Sequence, residues 1–252
     1  MSNEFNDKYV HGMDWANEDI TLSNLANYRQ FQYNLVSKYI GKRILEIGSG
    51  DRGFTNLIVK NNDTLERLLS IEPSKTLFER FERVYKFPEN VEFQCLDLYD
   101  LEEKKCGKFD TIIFIHVLEH IESDLSALNK VHELLEDNGY VLIEVPAIQS
   151  LYSVHDEILG HYRRYNKKTI LKAVDTSRYK IVKMFYSDII GVLGSFIFFK
   201  LMKIKLNSIE GKELVSTQGR IYDKVIIPIQ NLIEKFIHPP IGLNLTCILK
   251  KK

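Results

Sequence analysis

A glycine-rich loop is the first stretch of the sequence whose residue types and spacing could do chemistry. Gly48, Gly50 and Gly53 form a G-x-G-x-x-G pattern. The loop follows an apolar, strand-like run at residues 43–47 and precedes a helix-like stretch. Glycine lets such a loop turn tightly and brings its backbone close to a ligand. The pattern alone fits a nicotinamide dinucleotide as well as other adenosine-containing ligands.

Acidic residues near the ends of three predicted strands narrow the choice of ligand. Glu46 precedes the loop, where a carboxylate disfavours a pyrophosphate but suits a ligand that carries an amine and a sulfonium. Glu72 ends the second strand, where an acid binds ribose hydroxyls. Asp97 follows the third strand, where its carboxylate can accept a hydrogen bond from an adenine amino group.

Histidines and arginines after the fifth predicted strand form a second group of candidates. His155 and His161 could act as general bases toward a hydroxyl, because a neutral imidazole suits that role near pH 7. Arg163 and Arg164 could hold a phosphate or carboxylate, because guanidinium groups form bidentate pairs with such anions. Both kinds of acceptor stay open, and the two arginines favour an anionic small molecule.

Metal binding is a third chemistry that the sequence could support. His116, Glu119 and His120 form an H-x-x-E-H segment after the fourth strand, and His155 or His161 could complete a site. Imidazole and carboxylate suit zinc, manganese or iron. The alternative is a helix start at which the acid and histidine cap backbone amides. A divalent metal is thus compatible with the sequence but is not expected.

Alternating strand and helix signals must position these residues. Apolar runs predict five strands, at residues 43–47, 68–72, 91–95, 109–115 and 140–145, with helical patterns between them. This alternation is typical of a parallel, doubly wound α/β sheet. We also expect a strand near Tyr179–Tyr186 and a closing strand at Leu243–Leu249.

Composition excludes several classes of protein. The 252 residues are 44% hydrophobic, with 34 basic and 34 acidic side chains, which argues against a disordered or coiled-coil chain. With no overall basic charge, we expect no nucleic-acid partner. The three cysteines form no C-x-x-C pair and the first residues lack signal-peptide features, so we expect a cytoplasmic protein. The oligomeric state is left open.

Four motifs, in order, resemble those of class I S-adenosylmethionine-dependent methyltransferases. Residues 44–53 resemble motif I, 70–74 the ribose-binding motif, 96–98 the adenine-contacting motif, and 109–121 motif IV of the group with small-molecule acceptors. The resemblance implies S-adenosylmethionine as cofactor. It also implies a Rossmann-like, seven-stranded sheet whose last strand is antiparallel.

The same resemblance implies a role for each motif residue. Glu46, Gly48 and Gly50 would contact the methionine part of the cofactor. Glu72 would bind the ribose and Asp97 the adenine.

Two further motif residues receive roles, and the loop departs from the family pattern at two positions. Leu98 would pack on the adenine ring and His116 would lie beside the methyl donor, where it is also a catalytic candidate.

Asp51 and Arg52 replace the small residues common in this loop, which puts the loop conformation in question. The H-x-x-E-H segment resembles the E-x-x-E-H segment with which some small-RNA and quinone-pathway methyltransferases hold a divalent ion.

The resemblance also suggests an acceptor. The string L-G-H-Y-R-R-Y at residues 159–165 and the ending at 239–245 resemble a bacterial group associated with surface-polysaccharide assembly. We therefore expect O-methylation of a small anionic sugar or phosphorylated metabolite in a capsule or surface-polysaccharide pathway. The alternatives are a lipid-linked or quinone acceptor at the membrane, a nicotinamide-dependent oxidoreductase, and a catalytically idle partner that binds S-adenosylmethionine.

The chain divides into four predicted parts. Residues 1–40 form an N-terminal helical lid in which Trp15 and Tyr28 could cover the acceptor, and residues 41–186 form the methyltransferase core. Residues 187–242 form a helical insertion on the acceptor side, and residues 243–252 form the closing strand. The apolar run 189–199 is too short to span a membrane, which needs about 20 residues. Lysines follow this run, so we expect either a buried helix or peripheral contact with a membrane.

Overall fold

A seven-stranded mixed sheet organises the computed structural model, which describes residues 25–196, 221–234, 236, 237 and 239–252. Trp15 and the lysines after residue 199 lie outside the described residues. The strands are β1 Arg43–Ile47, β2 Arg67–Ile71, β3 Val91–Gln94, β4 Phe109–Ile115, β5 Leu135–Pro146, β6 Tyr179–Ser187 and β7 Asn244–Lys251. The predicted α/β sheet is confirmed.

The strand order is β3-β2-β1-β4-β5-β7-β6. The first five strands are parallel where they pair, whereas β7 runs antiparallel to both β5 and β6. This arrangement confirms the expected antiparallel closing strand. The order reverses between β1 and β4, and open α/β sheets bind ligands in the crevice beyond the carboxyl ends of the strands at such a point.

Central strands are covered on both faces, which explains their nearly continuous apolar sequences. In β4, Ile112 and Phe114 pack into the core on one side of the sheet and Ile113 into the core on the other, each fully buried. Glu46 in β1 and Glu144 in β5 interrupt this apolar pattern and are also buried. Buried acids in otherwise apolar strands need partners, and both lie near the carboxyl edge of the sheet.

Nine α-helices connect and cover the described strands. They are α1 Ala26–Val36, α2 Gly53–Asn61, α3 Lys75–Arg80, α4 Glu103–Cys106, α5 Asp124–Leu134, α6 Val154–Ile158, α7 Lys167–Ala173, α8 Ile189–Ser195 and α9 Ile227–Glu234. Helix α1, the described part of the predicted lid, packs against α2 and α9. A short 3-10 turn, Leu118–His120, follows β4 and carries the H-x-x-E-H segment toward the sheet edge.

Helices α8 and α9 lie within the predicted insertion. Large apolar side chains of this region are exposed, including Leu193, Leu232 and Phe236. None of the helices in the described part of the chain is both long and apolar enough to cross a membrane. The division of the chain at residues 40, 186 and 242 stays a prediction.

Candidate functional site

One cavity of about 1080 Å³ opens at the carboxyl edge of the sheet. Its walls come from the glycine loop, the ends of β1, β2 and β4, helix α1, and the segments that carry His120 and His161. The structure thus brings to one cavity most of the residues predicted from the sequence: Tyr28, Glu46, Gly48, Gly50, Glu72, Asp97, Leu98, His116, Glu119, His120 and His161.

The glycine loop has a backbone that requires glycine at its first position. Gly48 has φ of +77°, and a Cβ atom there would lie 2.5 Å from Cγ2 of Val117. Gly50 also has positive φ, and the space beside it is open. Its amide donates a hydrogen bond to Oε2 of Glu72 at 2.9 Å. The loop therefore joins the ends of β1 and β2 while keeping room for a ligand.

Glu46 is a buried acid beneath the loop and is 3% exposed. The hydroxyls of Thr55 and Ser70 donate hydrogen bonds to its Oε2 at 2.5 and 2.7 Å. Burial raises the pKa of Glu46 to about 7, although these two hydrogen bonds oppose the shift. A cation in the cavity would favour the ionised carboxylate.

Glu72, Asp97 and Leu98 form the wall beyond β2 and β3. Glu72 is buried, and its Oε1 accepts a hydrogen bond from the Ser74 amide at 3.0 Å. Asp97 caps a 3-10 turn by accepting from the Tyr99 amide at 3.1 Å. Leu98 begins this turn and is 3% exposed. Two carboxylates and an apolar side chain that line the same cavity suit a ribose and an aromatic base.

The two unusual loop residues anchor the loop. Asp51 pairs with Arg29 of α1 at 2.6 Å and accepts a hydrogen bond from the Gly53 amide. Arg52 adopts φ of +63° and donates to the carbonyls of Phe78 and Glu82. Asp51 and Arg52, which replace small residues, therefore hold the loop against α1 and against α3 and the residues after it.

His116 lies between two fully buried carboxylates. Its Nδ1 is 3.3 Å from Oε1 of Glu119 and its Nε2 is 3.4 Å from Oε1 of Glu144. Burial lowers the pKa of His116, but the two carboxylates outweigh burial and raise this pKa to about 10. An imidazolium is a poor general base, so the geometry favours an orienting role over proton abstraction.

Glu144 is a site residue that the sequence reasoning missed. It lies in β5 and also accepts a hydrogen bond from Nε2 of Gln32 in α1 at 2.7 Å. The signal was one acid within the apolar run of residues 140–145. No other residue of that run is charged.

Glu119, His120 and His161 form a second cluster, and all three side chains line the cavity. Potential ligand atoms of Glu119, His120 and His161 all lie within 4.8 Å of one another. His161 is held by Asp156, whose Oδ1 is 2.9 Å from its Nδ1. The predicted candidate His155 does not join this cluster. It is buried on α6 and does not line the cavity.

Arg163 and Arg164, expected from the sequence to hold an anionic acceptor, do not line the cavity. Arg163 donates to the carbonyls of Ile121 and Glu122 at 3.0 and 2.6 Å. Arg164 pairs with the buried Asp156 at 2.7 Å. Both guanidinium groups pair within the protein: Arg163 ties the loop after α6 to the segment before α5, and Arg164 ties it back to α6.

Tyr28 lines the cavity from α1 in the described part of the predicted lid. Its hydroxyl accepts a hydrogen bond from Nδ2 of Asn244 at 2.5 Å, and burial raises its pKa. The Tyr28 amide donates to Asp223 at 2.8 Å. Contacts to β7 and to the segment before α9 therefore fix α1 beside the cavity.

A family model described as "Methyltransferase domain" matches residues 21–182 of this chain. A tRNA U34 carboxymethyltransferase from Desulforapulum autotrophicum is 26% identical over 116 residues, which are 46% of this chain and 35% of that protein. The lovastatin diketide synthase of Aspergillus terreus is 28% identical over 142 residues, 54% of this chain and 5% of the synthase. The chain thus spans about a third or less of these relatives.

Solved structures share the fold. The N-methyltransferase NodS from Bradyrhizobium japonicum, in complex with S-adenosylhomocysteine, aligns with a TM-score of 0.54 and 17% identity over 71% of this chain and 89% of that one. The plantazolicin methyltransferase BpumL, in complex with S-adenosylhomocysteine and a pentazolic desmethylPZN analogue, aligns with a TM-score of 0.58 and 16% identity. That alignment covers 98% of this chain and 92% of BpumL.

Glu46 gives the folded protein a distinctive dependence on pH. Its folded pKa lies above its usual value of 4.5, so between pH 4.5 and about 7 the folded state binds more protons than the unfolded state. Glu46 therefore lowers the free energy of unfolding by roughly 3 kcal/mol as the pH rises through this window. Glu46→Gln removes this decrease, and urea denaturation across the window measures it. The exposed Glu89→Gln is the control, and identical pH profiles for Glu46→Gln and the wild type would contradict the account.

Arg163→Ala tests whether this arginine is structural. Loss of its hydrogen bonds to two carbonyls lowers the free energy of unfolding by about 1–3 kcal/mol. Urea denaturation measures the loss, and the exposed Arg83→Ala serves as the control. If Arg163→Ala instead kept full stability but raised the KM of an anionic acceptor, the side chain would have the binding role expected from the sequence.

Proposed function

The chain belongs to the methyltransferase-domain family, and from this premise we propose that it transfers the methyl group of S-adenosylmethionine to an oxygen of a small molecule. One observation carries the proposal: Glu46, Glu72 and Asp97 stand near the carboxyl ends of three adjacent strands around one glycine loop. The NodS and BpumL structures, whose fold this chain shares, each contain S-adenosylhomocysteine.

The residues present fit the adenosyl cofactor. The positive φ and open space at Gly50 leave room for a ligand beside the backbone. Burial raises the pKa of Glu46. A cationic methionine end near the loop would stabilise the ionised carboxylate. Glu72 would bind the ribose hydroxyls, and Asp97 with Leu98 would contact the adenine; all three line the same cavity.

When bound, the cofactor supplies a methyl group on a positively charged sulfur, which is open to in-line displacement. For such a displacement the protein mainly supplies orientation and electrostatics. The acceptor lies against the wall formed by His116, Glu119, His120 and His161, beside the glycine loop. A hydroxyl acceptor there gives its proton to an imidazole of His120 or His161 as its oxygen takes the methyl group.

We further propose that the acceptor is a small anionic sugar or phosphorylated metabolite of a surface-polysaccharide pathway. The support is the resemblance of residues 159–165 and 239–245 to a bacterial group associated with that pathway. Arg163 and Arg164, the two cations that the sequence predicts for holding the anion, are paired within the protein. An anionic acceptor therefore needs another positive charge near Glu119.

A lipid-linked or quinone acceptor at the membrane is the second candidate. The exposed apolar side chains of Leu232, Phe236 and Ile237, on α9 and just after it in the predicted insertion, favour it. Co-sedimentation with lipid vesicles would separate this candidate from a soluble acceptor. A nicotinamide-dependent oxidoreductase has no comparable support, since β7 stands antiparallel between β5 and β6.

Binding of S-adenosylhomocysteine tests the cofactor assignment. At 100 times its Kd a ligand adds about 2.7 kcal/mol to stability, which raises the Tm of a chain of this size by roughly 5–10 °C. NADH is the matched ligand control and should give no shift. Gly48→Val and Asp97→Ala should each abolish the shift, the first because its side chain collides with Val117.

The exposed Asp63→Ala is the control variant and should keep the full shift. A shift with NADH and none with S-adenosylhomocysteine would overturn the proposal. A shift with S-adenosylhomocysteine, but no turnover of any acceptor, would identify a catalytically idle partner.

A further inference from the structure

We propose that Glu119, His120 and His161 bind one divalent first-row transition-metal cation on the acceptor side of the cavity. The binding of the cation follows from the cluster itself, whereas its role toward the acceptor rests on the proposed function. The cluster differs from the set expected from sequence, because His155 lies elsewhere and His116 is engaged by two carboxylates.

Backbone contacts hold the three side chains together. Glu119 and His120 are consecutive in the 3-10 turn after β4, and His161 follows α6. The amide of Tyr162 donates to the carbonyl of Glu119 at 2.9 Å, which fixes the two segments side by side. With their ligand atoms within 4.8 Å of one another, the three residues could coordinate a single ion after small rotations.

His161 has an orienting partner, as metal-bound histidines usually do. Asp156 contacts Nδ1 of His161 at 2.9 Å and is itself held by Arg164 at 2.7 Å. This contact leaves Nε2 of His161 as the ring nitrogen for a ligand.

Glu119 supplies the independent reason to expect a cation. Its side chain is fully buried, and within the described chain neither carboxylate oxygen has a hydrogen-bond partner. The charged partner of Glu119 is His116, whose Nδ1 lies 3.3 Å from its Oε1. The other ring nitrogen of His116 lies near Glu144, at 3.4 Å. One histidine therefore faces two fully buried carboxylates. A buried, uncompensated charge is costly, and a bound cation offsets it.

Two imidazoles and one carboxylate suit a divalent transition metal and leave coordination positions open. All three residues line the cavity, so an acceptor oxygen there could take an open position. With a cation present, His120 and His161 would be ligands instead of bases; the cation would lower the pKa of a bound hydroxyl, and the proton would pass to solvent water instead of to an imidazole. The cation also supplies the positive charge that Arg163 and Arg164 do not bring to the cavity.

Calorimetric titration of the chelator-treated, tag-free full chain with Zn²⁺ tests the proposal. We expect one Zn²⁺ per chain, and weaker binding of Mg²⁺ because it prefers oxygen ligands. Glu119→Gln and His161→Gln should each weaken Zn²⁺ binding by at least about 100-fold. Asp156→Asn should weaken it about 10-fold, as expected for an orienting partner. His132→Gln, the same change on α5 outside the cluster, should bind as the wild type does.

Three results would overturn the metal site: no Zn²⁺ binding by the wild type, equal binding by Glu119→Gln, or Mg²⁺ binding as tight as Zn²⁺ binding. Each sample is also tested for a Tm shift with S-adenosylhomocysteine. A shift without Zn²⁺ binding overturns the metal site and leaves the proposed function standing. Zn²⁺ binding that Glu119→Gln abolishes, without a shift in the wild type, supports the metal site and contradicts the cofactor assignment.

Discussion

Buried carboxylates at the carboxyl edge of the sheet are the constraint on which the rest of the site depends. Glu46, Glu119 and Glu144 are each at most 3% exposed, although removing a charge from water costs several kcal/mol unless partners offset it. The protein offsets Glu46 with two hydroxyls and a raised pKa. It offsets Glu144 with Gln32 and His116. Glu119 shares His116 and has no other such partner among the described residues.

We propose that the acids that line the cavity serve two halves of it. The cofactor half has Glu46, Glu72 and Asp97 near the glycine loop and suits a cationic adenosyl ligand. The acceptor half has Glu119, His120 and His161, the proposed metal ligands. His116, with φ of +54°, contacts Glu119 at 3.3 Å. Such a backbone conformation is uncommon for a residue other than glycine and persists where surrounding contacts enforce it.

Much of the fold and of the cofactor half could be predicted from sequence, because both depend on local patterns. Apolar runs specify buried strands, and a glycine loop after the first strand specifies where the chain approaches a ligand. Glu46, Glu72 and Asp97 follow directly, since the carboxyl ends of parallel strands share one edge. Arg52 shows the limit of such reasoning, because its partners Phe78 and Glu82 lie on a different element.

The acceptor half depends on tertiary contacts that spacing does not encode. The sequence predicts that Arg163 and Arg164 bind an anion. In the structure, Arg163 donates to backbone carbonyls and Arg164 donates to Asp156. His155 and His161 looked equivalent, and the turn after α6 places only the second at the cavity. Glu144 escaped notice because one acid within an apolar strand does not reveal which side chains will face it.

A crystal structure of the protein grown with S-adenosylhomocysteine tests the central claim most directly. The account predicts electron density in the cavity at the sheet edge, with adenine beside Asp97 and Leu98, ribose against Glu72, and the amino-acid end near Glu46. Density in the reverse orientation, or at a site away from the glycine loop, would contradict the account. So would a cavity that stays empty at saturating ligand, since the buried acids would then have another purpose.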